Sequence, residues 1–233
     1  MCNLWMSKNC RSLLANRAYN LGFNAVAGLD EVGRGALAGP VVAAACIVLP
    51  GVDLTAVNDS KKLSSKQRAY LYGELTSHPD VYYAIGSVCV EQIDRLNILQ
   101  ASLQAMAQAI AQLSITPDYL LVDGLHMPPT NISGEAVPGG DNREQSIMAA
   151  SIIAKYWRDT IMDELHLSYP EYSFNRNRGY GTKEHIDAIY KYSYTHNHRS
   201  SFQPIKGIIE VLNSCRSLMI PFNLDDLFAK TRL

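Results

Sequence analysis

Apolar positions along the chain fall into two kinds of run, continuous and periodic. Residues 25–29 (AVAGL) feed straight into Asp30-Glu31, and residues 41–49 (VVAAACIVL) are unbroken and rich in β-branched side chains until Pro50-Gly51 ends them. Such runs, bounded by turn formers, predict buried strands. Residues 82–90 and 119–122 predict two more, and the last hands over Asp123-Gly124. The periodic runs predict helices. In residues 91–113 the side chains Ile93, Leu96, Leu99, Leu103, Met106, Ile110 and Leu113 recur at spacings of three and four, one amphipathic helix that Pro117 stops. Residues 146–165 carry a second, whose small residues early on let it lie close to a sheet. Ser64 and Gln67 have the spacing of a capping box, and a further helix starts near Lys183. Polar residues 58–62 and the Pro- and Gly-rich stretch from Gly124 to Asp141 read as loops.

Strands mixed with helices predict an α/β chain with a helical C-terminal portion. Residues 1–20 are expected to be an N-terminal extension, 21–208 one domain, and 209–233 a tail. No repeat or linker interrupts this. At 233 residues the chain is long enough to bury a sizeable core.

Composition narrows the class. Hydrophobic residues make up 47% and charged ones 18%, as in an ordinary globular protein, and no apolar run approaches the ~20 residues of a membrane span. The opening MCNLWMSKNCRSLL lacks the apolar core of a secretory signal. The cysteines at 2, 10, 46, 89 and 215 form no close pair of the kind structural zinc sites use. A reducing cytoplasm is the expected compartment. The net charge of −1 argues against general adhesion to nucleic acid, so any such binding needs a local patch. Residues 174–206 offer one, with Arg176, Arg178, Lys183, Lys191, Arg199 and Lys206 against only Glu184 and Asp187, and with aromatic residues between.

Candidate chemistry lies where apolar runs end in acid. Adjacent strand residues point to opposite faces, so Asp30 and Glu31 meet one ligand only at a bend. A bare acidic pair is as often a solvated turn, and a lone Asp after a strand is often a turn former. Asp30, Glu31, Asp123 and Asp141 together are another matter. Clustered carboxylates repel unless a cation or proton neutralises them, and all-oxygen donors suit Mg²⁺ or Mn²⁺. Two such ions ~3.5–4 Å apart can activate a water and stabilise a leaving oxygen of a phosphodiester. Asp159 is the rival for fourth acid, but beside Arg158 deep in a helix it reads as a structural ion-pair partner. His185, His196 and His198 lack metal-site spacing, and Tyr190, Tyr192 and Tyr194 read as packing for a helix end.

The segments AVAGLDEVGRG (25–35), NDSKKL (58–63), VDG (122–124), GD (140–141) ahead of MAASIIAK (148–155), Tyr169-Pro170, GYGTKEH (179–185) and HRSSF (198–202) with Pro204 occur in that order. This ordered set resembles ribonuclease HII from about Ala25 to Pro204. It departs in having Gly140 where a lysine is usual, and Lys155-Tyr156-Trp157-Arg158 where smaller residues are commoner.

The resemblance implies a ribonuclease H-like mixed sheet flanked by helices, with a helical C-terminal segment. It implies an endonuclease that hydrolyses RNA in RNA–DNA hybrids and cuts 5′ of single ribonucleotides in duplex DNA. Two metal ions, Mg²⁺ or Mn²⁺, would leave 3′-hydroxyl and 5′-phosphate ends. By matching position Asp30, Glu31, Asp123 and Asp141 become metal ligands. Gly33, Arg34 and Gly35 become the loop that reads the ribose 2′-hydroxyl, the group that tells RNA from DNA. Tyr180 becomes the ring on the neighbouring sugar, with Ser60, Lys61 and Arg199 as further substrate contacts. Residues 223–228 (NLDDLF) resemble a sliding-clamp peptide without its usual leading glutamine, and a monomer is expected. The alternatives are ribonuclease HIII, which usually carries an added N-terminal domain where only 24 residues precede Ala25 here, and a non-catalytic binder on the same fold.

Overall fold

The computed structural model describes residues 12–52 and 64–217. Its chain divides into two compact units, one formed by residues 1–34 and 40–160, the other by 35–39 and 161–233.

The first unit holds one five-stranded sheet. The strands are β1 (Val26–Val32), β2 (Val41–Val48), β3 (Val81–Val88), β4 (Tyr119–Asp123) and β5 (Ser133–Val137), arranged β3-β2-β1-β4-β5. β1, β2 and β3 form an antiparallel meander, while β4 and β5 run parallel to β1. Every residue of β2 is buried, as its unbroken apolar run required. The mixed sheet flanked by helices is the architecture the sequence resemblance implied.

Helices cover the sheet, and glycines set how closely. The helices of this unit are α1 (Leu13–Asn20), α2 (Ser65–Ser77), α3 (Val90–Leu96), α4 (Ile98–Ala111) and the start of α5 (Gln145–Ser168). A Cβ on Gly28 of β1 would lie 2.2 Å from the Ile147 backbone nitrogen, and one on Gly86 of β3 would lie 2.0 Å from the Ala105 oxygen. Both helices therefore rest on bare backbone. Ile147, Ile152 and Ile153 are fully buried along α5, and each such side chain contributes ~1.5–3 kcal/mol relative to exposure.

Three features differ from expectation. The helix read through residues 91–113 is two helices, broken at Asn97, whose φ of 69° and ψ of 163° no helix contains. The Asn97 side chain then caps α4 by accepting from the Gln100 N–H at 3.1 Å, as its short polar chain allows. The buried face of α4 is Ala101, Ser102, Ala105 and Ala109 with the expected Met106, rather than the leucines, because the helix is seated on Gly86 at Ala105 and Ala109, where only small side chains fit. β5 lies inside the stretch read as a loop; it is an edge strand, mostly exposed at its start, with none of the apolar signal a central strand shows. Residues 13–20, within the expected N-terminal extension, form α1 and place Ala15 and Ala18 in a core with Val26, Leu121, Val137 and Ile147.

The capping box of α2 is present as read, Ser64 with Gln67. α1 has no cap of its own from Ser12. Instead the Glu144 carboxylate accepts from the Leu14 N–H at 2.9 Å and the Ala15 N–H at 3.2 Å.

The second unit contains the end of α5, α6 (Phe174–Asn177), α7 (Lys183–Tyr192) and α8 (Ile205–Ser217). They surround a core of Leu37, Ala38, Met162, Tyr172, Phe174, Ala188, Ile189, Ile205 and Ile208. Tyr190 and Tyr194 pack against that core, as expected of them, while Tyr192 is half exposed beneath the Lys191 ammonium, 4.9 Å from its ring centre. Among the described residues no helix is long and apolar enough to cross a membrane.

Candidate active site

Strand register brings the acids to one edge. Leu29 of β1 pairs with Val122 of β4 in the parallel ladder, so the next residues along, Asp30 and Asp123, stand level where β4 and its pairing with β1 end. The carboxyl ends of parallel strands are where open α/β sheets gather their sites.

Asp30 is 7% exposed, and its Oδ1 accepts from the Glu31 N–H at 2.8 Å. Burial first, then the negative charge of Asp123, pushes its carboxyl well above the usual carboxylate range, against a side-chain hydrogen bond from Ser151 that favours the ionised form. Glu31 turns toward Arg34, whose Nη1 donates to its Oε1 at 3.0 Å. Burial raises the Glu31 carboxyl and Arg34 partly offsets it. Asp123 Oδ1 accepts from the Gly140 N–H at 2.7 Å. Asp141 follows in the 3₁₀ turn Gly140–Asn142; it is 3% exposed, and its Oδ1 accepts from Asn142 Nδ2 at 2.8 Å.

The Asp123 charge thus raises both Asp30 and Glu31, an arrangement that a divalent cation would relieve. The donor set is all oxygen and fits Mg²⁺ or Mn²⁺. Among the described residues no three or more His, Cys, Asp or Glu side chains are placed together so as to hold a metal ion. That is compatible with Mg²⁺, which keeps several waters and takes substrate phosphate oxygens in place of a dedicated protein cage.

The glycine loop is braced from within each unit. In the first, Gly33 has a φ of +93°, and a Cβ there would fall 2.2 Å from Arg158 Nε. Arg158 is fully buried, and its Nε donates to the Pro40 carbonyl at 2.9 Å. In the second, Leu37 N–H donates to the Gly179 carbonyl at 2.7 Å and Gly39 N–H to that of Asn197 at 2.8 Å. A Cβ on Gly35 would meet the Tyr180 ring, at 3.9 Å. Gly35 and Tyr180, read separately from sequence, are therefore neighbours, and Tyr180 is 37% exposed.

Arg199 differs from its expected place. It is fully buried, and its Nε and Nη2 donate to the Gly39 carbonyl at 3.1 and 2.9 Å. It holds the segment 35–39 rather than presenting a charge to solvent. The expected basic patch shrinks further, since Arg176 pairs with Glu184 and Arg178 with Asp163. Ser60, Lys61 and residues 223–228 lie outside the described residues. Asp159 is an ion-pair partner as read, bound by Arg68 at 3.0 Å and by Lys155 one helical turn back. Sequence reading missed Ser151, one buried hydroxyl among many, and the brace Arg158. The only signal for either is the helical position, since α5 begins against β1 at Gly28 and runs past its end.

Comparison with known proteins agrees with this geometry. The family model described as Ribonuclease HII matches residues 27–205. The chain is 49% identical to Ribonuclease HII of Chlamydia caviae over 206 residues, covering 88% of this chain and 95% of that one. It is 52% identical to Ribonuclease HII of Chlamydia pneumoniae over 190 residues, 82% and 88% of the two. Among solved structures the fold is similar to the ribonuclease H2 of Pyrococcus horikoshii (TM-score 0.67, 24% identity, 81% of this chain and 99% of that one). It is also similar to RNase HII in the PCNA:RNase HII complex of Archaeoglobus fulgidus (0.64, 23%, 77% and 95%). A third neighbour is Bst-RNase HIII in complex with Mn²⁺ (0.66, 19%, 83% and 72%). Acids level with one another where the pairing of β1 and β4 ends, a glycine loop after the first of them and a family match spanning both units lead to one assignment: the chain belongs to the ribonuclease HII family, endoribonucleases that act on RNA–DNA hybrids.

Proposed function

We propose that the protein cuts on the 5′ side of single ribonucleotides embedded in duplex DNA as well as within RNA–DNA hybrids, leaving 3′-hydroxyl and 5′-phosphate ends. The observation that carries this reading is the levelled pair Asp30 and Asp123, the first buried and the second half-buried, where the parallel pairing of β1 and β4 ends. Asp30, Glu31, Asp123 and Asp141 would hold two Mg²⁺ or Mn²⁺ ions. Bound there, such ions lower the pKa of a water and neutralise charge that develops on the phosphate.

The chain's own groups do the rest. Ser151 and the Glu31 N–H hold the Asp30 carboxylate, and the Gly140 N–H holds Asp123. Peptide groups of Gly33, Arg34 and Gly35 read the 2′-hydroxyl, because the two glycines carry no side chain of their own to hold a ligand away. The Tyr180 ring beside Gly35 packs on the sugar across the junction. Ser60 and Lys61 contact phosphate. Arg199 acts through Gly39, as a support of the loop. Residues 223–228 dock on a sliding clamp, a reading supported by the family neighbour that forms a complex with PCNA.

The test is a labelled duplex DNA with one ribonucleotide, incubated with Mg²⁺, with Mn²⁺ and with chelator. One cut 5′ of the ribonucleotide, lost on chelation, is expected. Cutting confined to long RNA tracts overturns the junction reading, and cutting that survives chelation overturns the metal ligands.

A further inference from the structure

Behind Tyr180 lie two histidines that the chemistry above does not use. His185 on α7 and His198 are 0% and 2% exposed, and their Nε2 atoms are 3.1 Å apart. The far nitrogen of His185, Nδ1, is 3.0 Å from the Tyr180 carbonyl oxygen. The far nitrogen of His198, Nδ1, is 3.0 Å from the Thr195 backbone nitrogen.

Thr195 Oγ1 lies at 3.0 Å from the same His198 Nδ1 and itself accepts from the Asn197 N–H at 3.2 Å, so its hydroxyl proton can turn toward that nitrogen. The Thr195 N–H can only donate, so His198 Nδ1 accepts. A neutral His198 then carries its proton on Nε2 and donates it to His185 Nε2. His185 in turn carries its proton on Nδ1 and donates to the Tyr180 carbonyl. Each nitrogen has one role and none is left over. Protonating His198 at Nδ1 would set an N–H against the Thr195 N–H. The walls of this site are the Tyr172 and Phe174 rings, with centres 4.9 and 5.7 Å from that of His198. Tyr172 faces the pair with its ring, since its hydroxyl donates to the Ser193 carbonyl at 2.9 Å. Burial among these rings lowers both imidazoles below their ordinary value, His198 to about 3. Both are neutral at physiological pH.

We propose that His185 and His198 are positioning residues, a two-imidazole relay that fixes the Tyr180 carbonyl and with it the place of the Tyr180 ring on the sugar. The proposal rests on the reading of Tyr180 as the sugar contact. Tyr180 stands between two glycines, and Gly179 has a φ of +79°. Its N–H donates to the Asn177 carbonyl at 2.9 Å, and its own carbonyl also accepts from the Thr182 N–H at 2.8 Å. A residue flanked by glycines needs such anchors, because its backbone has little stiffness of its own. The His185 bond ties this tight turn to a buried side chain of α7 and, through His198, to Thr195.

Packing alone would make the same histidines replaceable by apolar rings, and this separates the two readings. His185→Phe keeps a ring in the aromatic box and removes both hydrogen bonds. The quantity measured is kcat/KM for a single-ribonucleotide duplex divided by that for a long hybrid. The expected result is a fall in this ratio of about tenfold in His185→Phe, a similar fall in Tyr180→Ala, and no further fall in the double variant, as for residues that act as one unit. A ratio unchanged in His185→Phe but lowered in Tyr180→Ala, or additive losses in the double, overturns the relay. A ratio unchanged in Tyr180→Ala overturns the reading of Tyr180 instead. The wild-type protein gives a second measurement independent of folding in the variants. Long-range ¹H–¹⁵N correlation spectra at neutral pH are expected to show His198 protonated at Nε2 and His185 at Nδ1. The opposite tautomer at either ring, or a doubly protonated ring, overturns the relay as well.

Discussion

A buried carboxylate beside a second, half-buried one opposes the fold that holds it, and Asp30 with Asp123 is such a pair. Burial and their mutual repulsion raise Asp30 well above the usual range, so in chelator the site is strained electrostatically. Asp123→Asn removes the like charge while keeping an acceptor for the Gly140 N–H. Cleavage is expected to fall at least about a thousandfold, the scale of losing one preorganised electrostatic contact at a reacting centre. The unfolding midpoint in chelator is expected to rise, because the repulsion is gone. Strong residual cutting would remove Asp123 from the metal set; a lower midpoint would show that repulsion is not what Asp30 feels. His198 gives a second prediction at this scale, with the opposite sense of shift. The unfolded imidazole takes a proton near its ordinary 6.5 and the folded one only near 3. Between these values the unfolded chain binds more protons, so stability is full above pH 6.5 and is lost as pH falls toward 3. His198→Asn keeps an acceptor for the Thr195 N–H and lacks that proton uptake. Urea midpoints should therefore decline less steeply in the variant than in the wild type between about pH 6.5 and 4, and parallel declines would remove His198 from the acid response.

Glu144 shows how much an element can depend on a residue distant in sequence. α1 starts without a cap of its own, and the two N–H groups it exposes first are met by one carboxylate some 130 positions later. Hydrogen bonds to a charged group are worth ~1.5–3 kcal/mol, so Glu144→Ala should cost about 1–3 kcal/mol in urea unfolding, with Glu144→Gln between it and wild type. No loss in either would mean that α1 is held by its side-chain contacts, Leu14, Ala15, Ala18 and Tyr19 among them, and not by this cap. Elements were legible in the sequence where local pattern decides them. β1, β2 and β4 announced themselves as apolar runs, and the Ser64–Gln67 box marked the start of α2. Elements decided by a distant partner were not legible. β5 is a strand because β4 offers it an edge. α4 turns its alanines inward because Gly86 brings it onto bare backbone. The break at Asn97 is invisible to periodicity because Leu96 and Leu99 keep the spacing across it. The site divides in the same way. Asp30, Glu31 and Asp123 stand at the ends of apolar runs and could be read; Ser151, Arg158 and the two histidines act through contacts that only the fold creates.

Over the whole molecule, charge decides how the protein meets a polyanion. The net charge of −1 leaves no general attraction, and the six basic residues counted between Phe174 and Lys206 are not equivalent once folded. Arg176 and Arg178 face Glu184 and Asp163, and Arg199 is buried on a carbonyl. Lys183, Lys191 and Lys206 are exposed. Only cations that neutralise phosphate release counterions, and each contributes about 0.9 to the slope of log K against log salt for duplex DNA. The prediction is a difference between two variants of the full chain. Replacing Lys183, Lys191 and Lys206 together by Ala should flatten the slope for hybrid binding by as much as about 2.7. Arg178→Ala should leave the slope as it is, since it removes a cation that already faces Asp163. Binding isotherms at four or five salt concentrations, measured with Ca²⁺ in place of the catalytic metal, read both slopes. An equal effect of Arg178→Ala would mean that nucleic acid displaces Asp163 from Arg178, and the sequence count of six would then describe the interface better than the folded count of three.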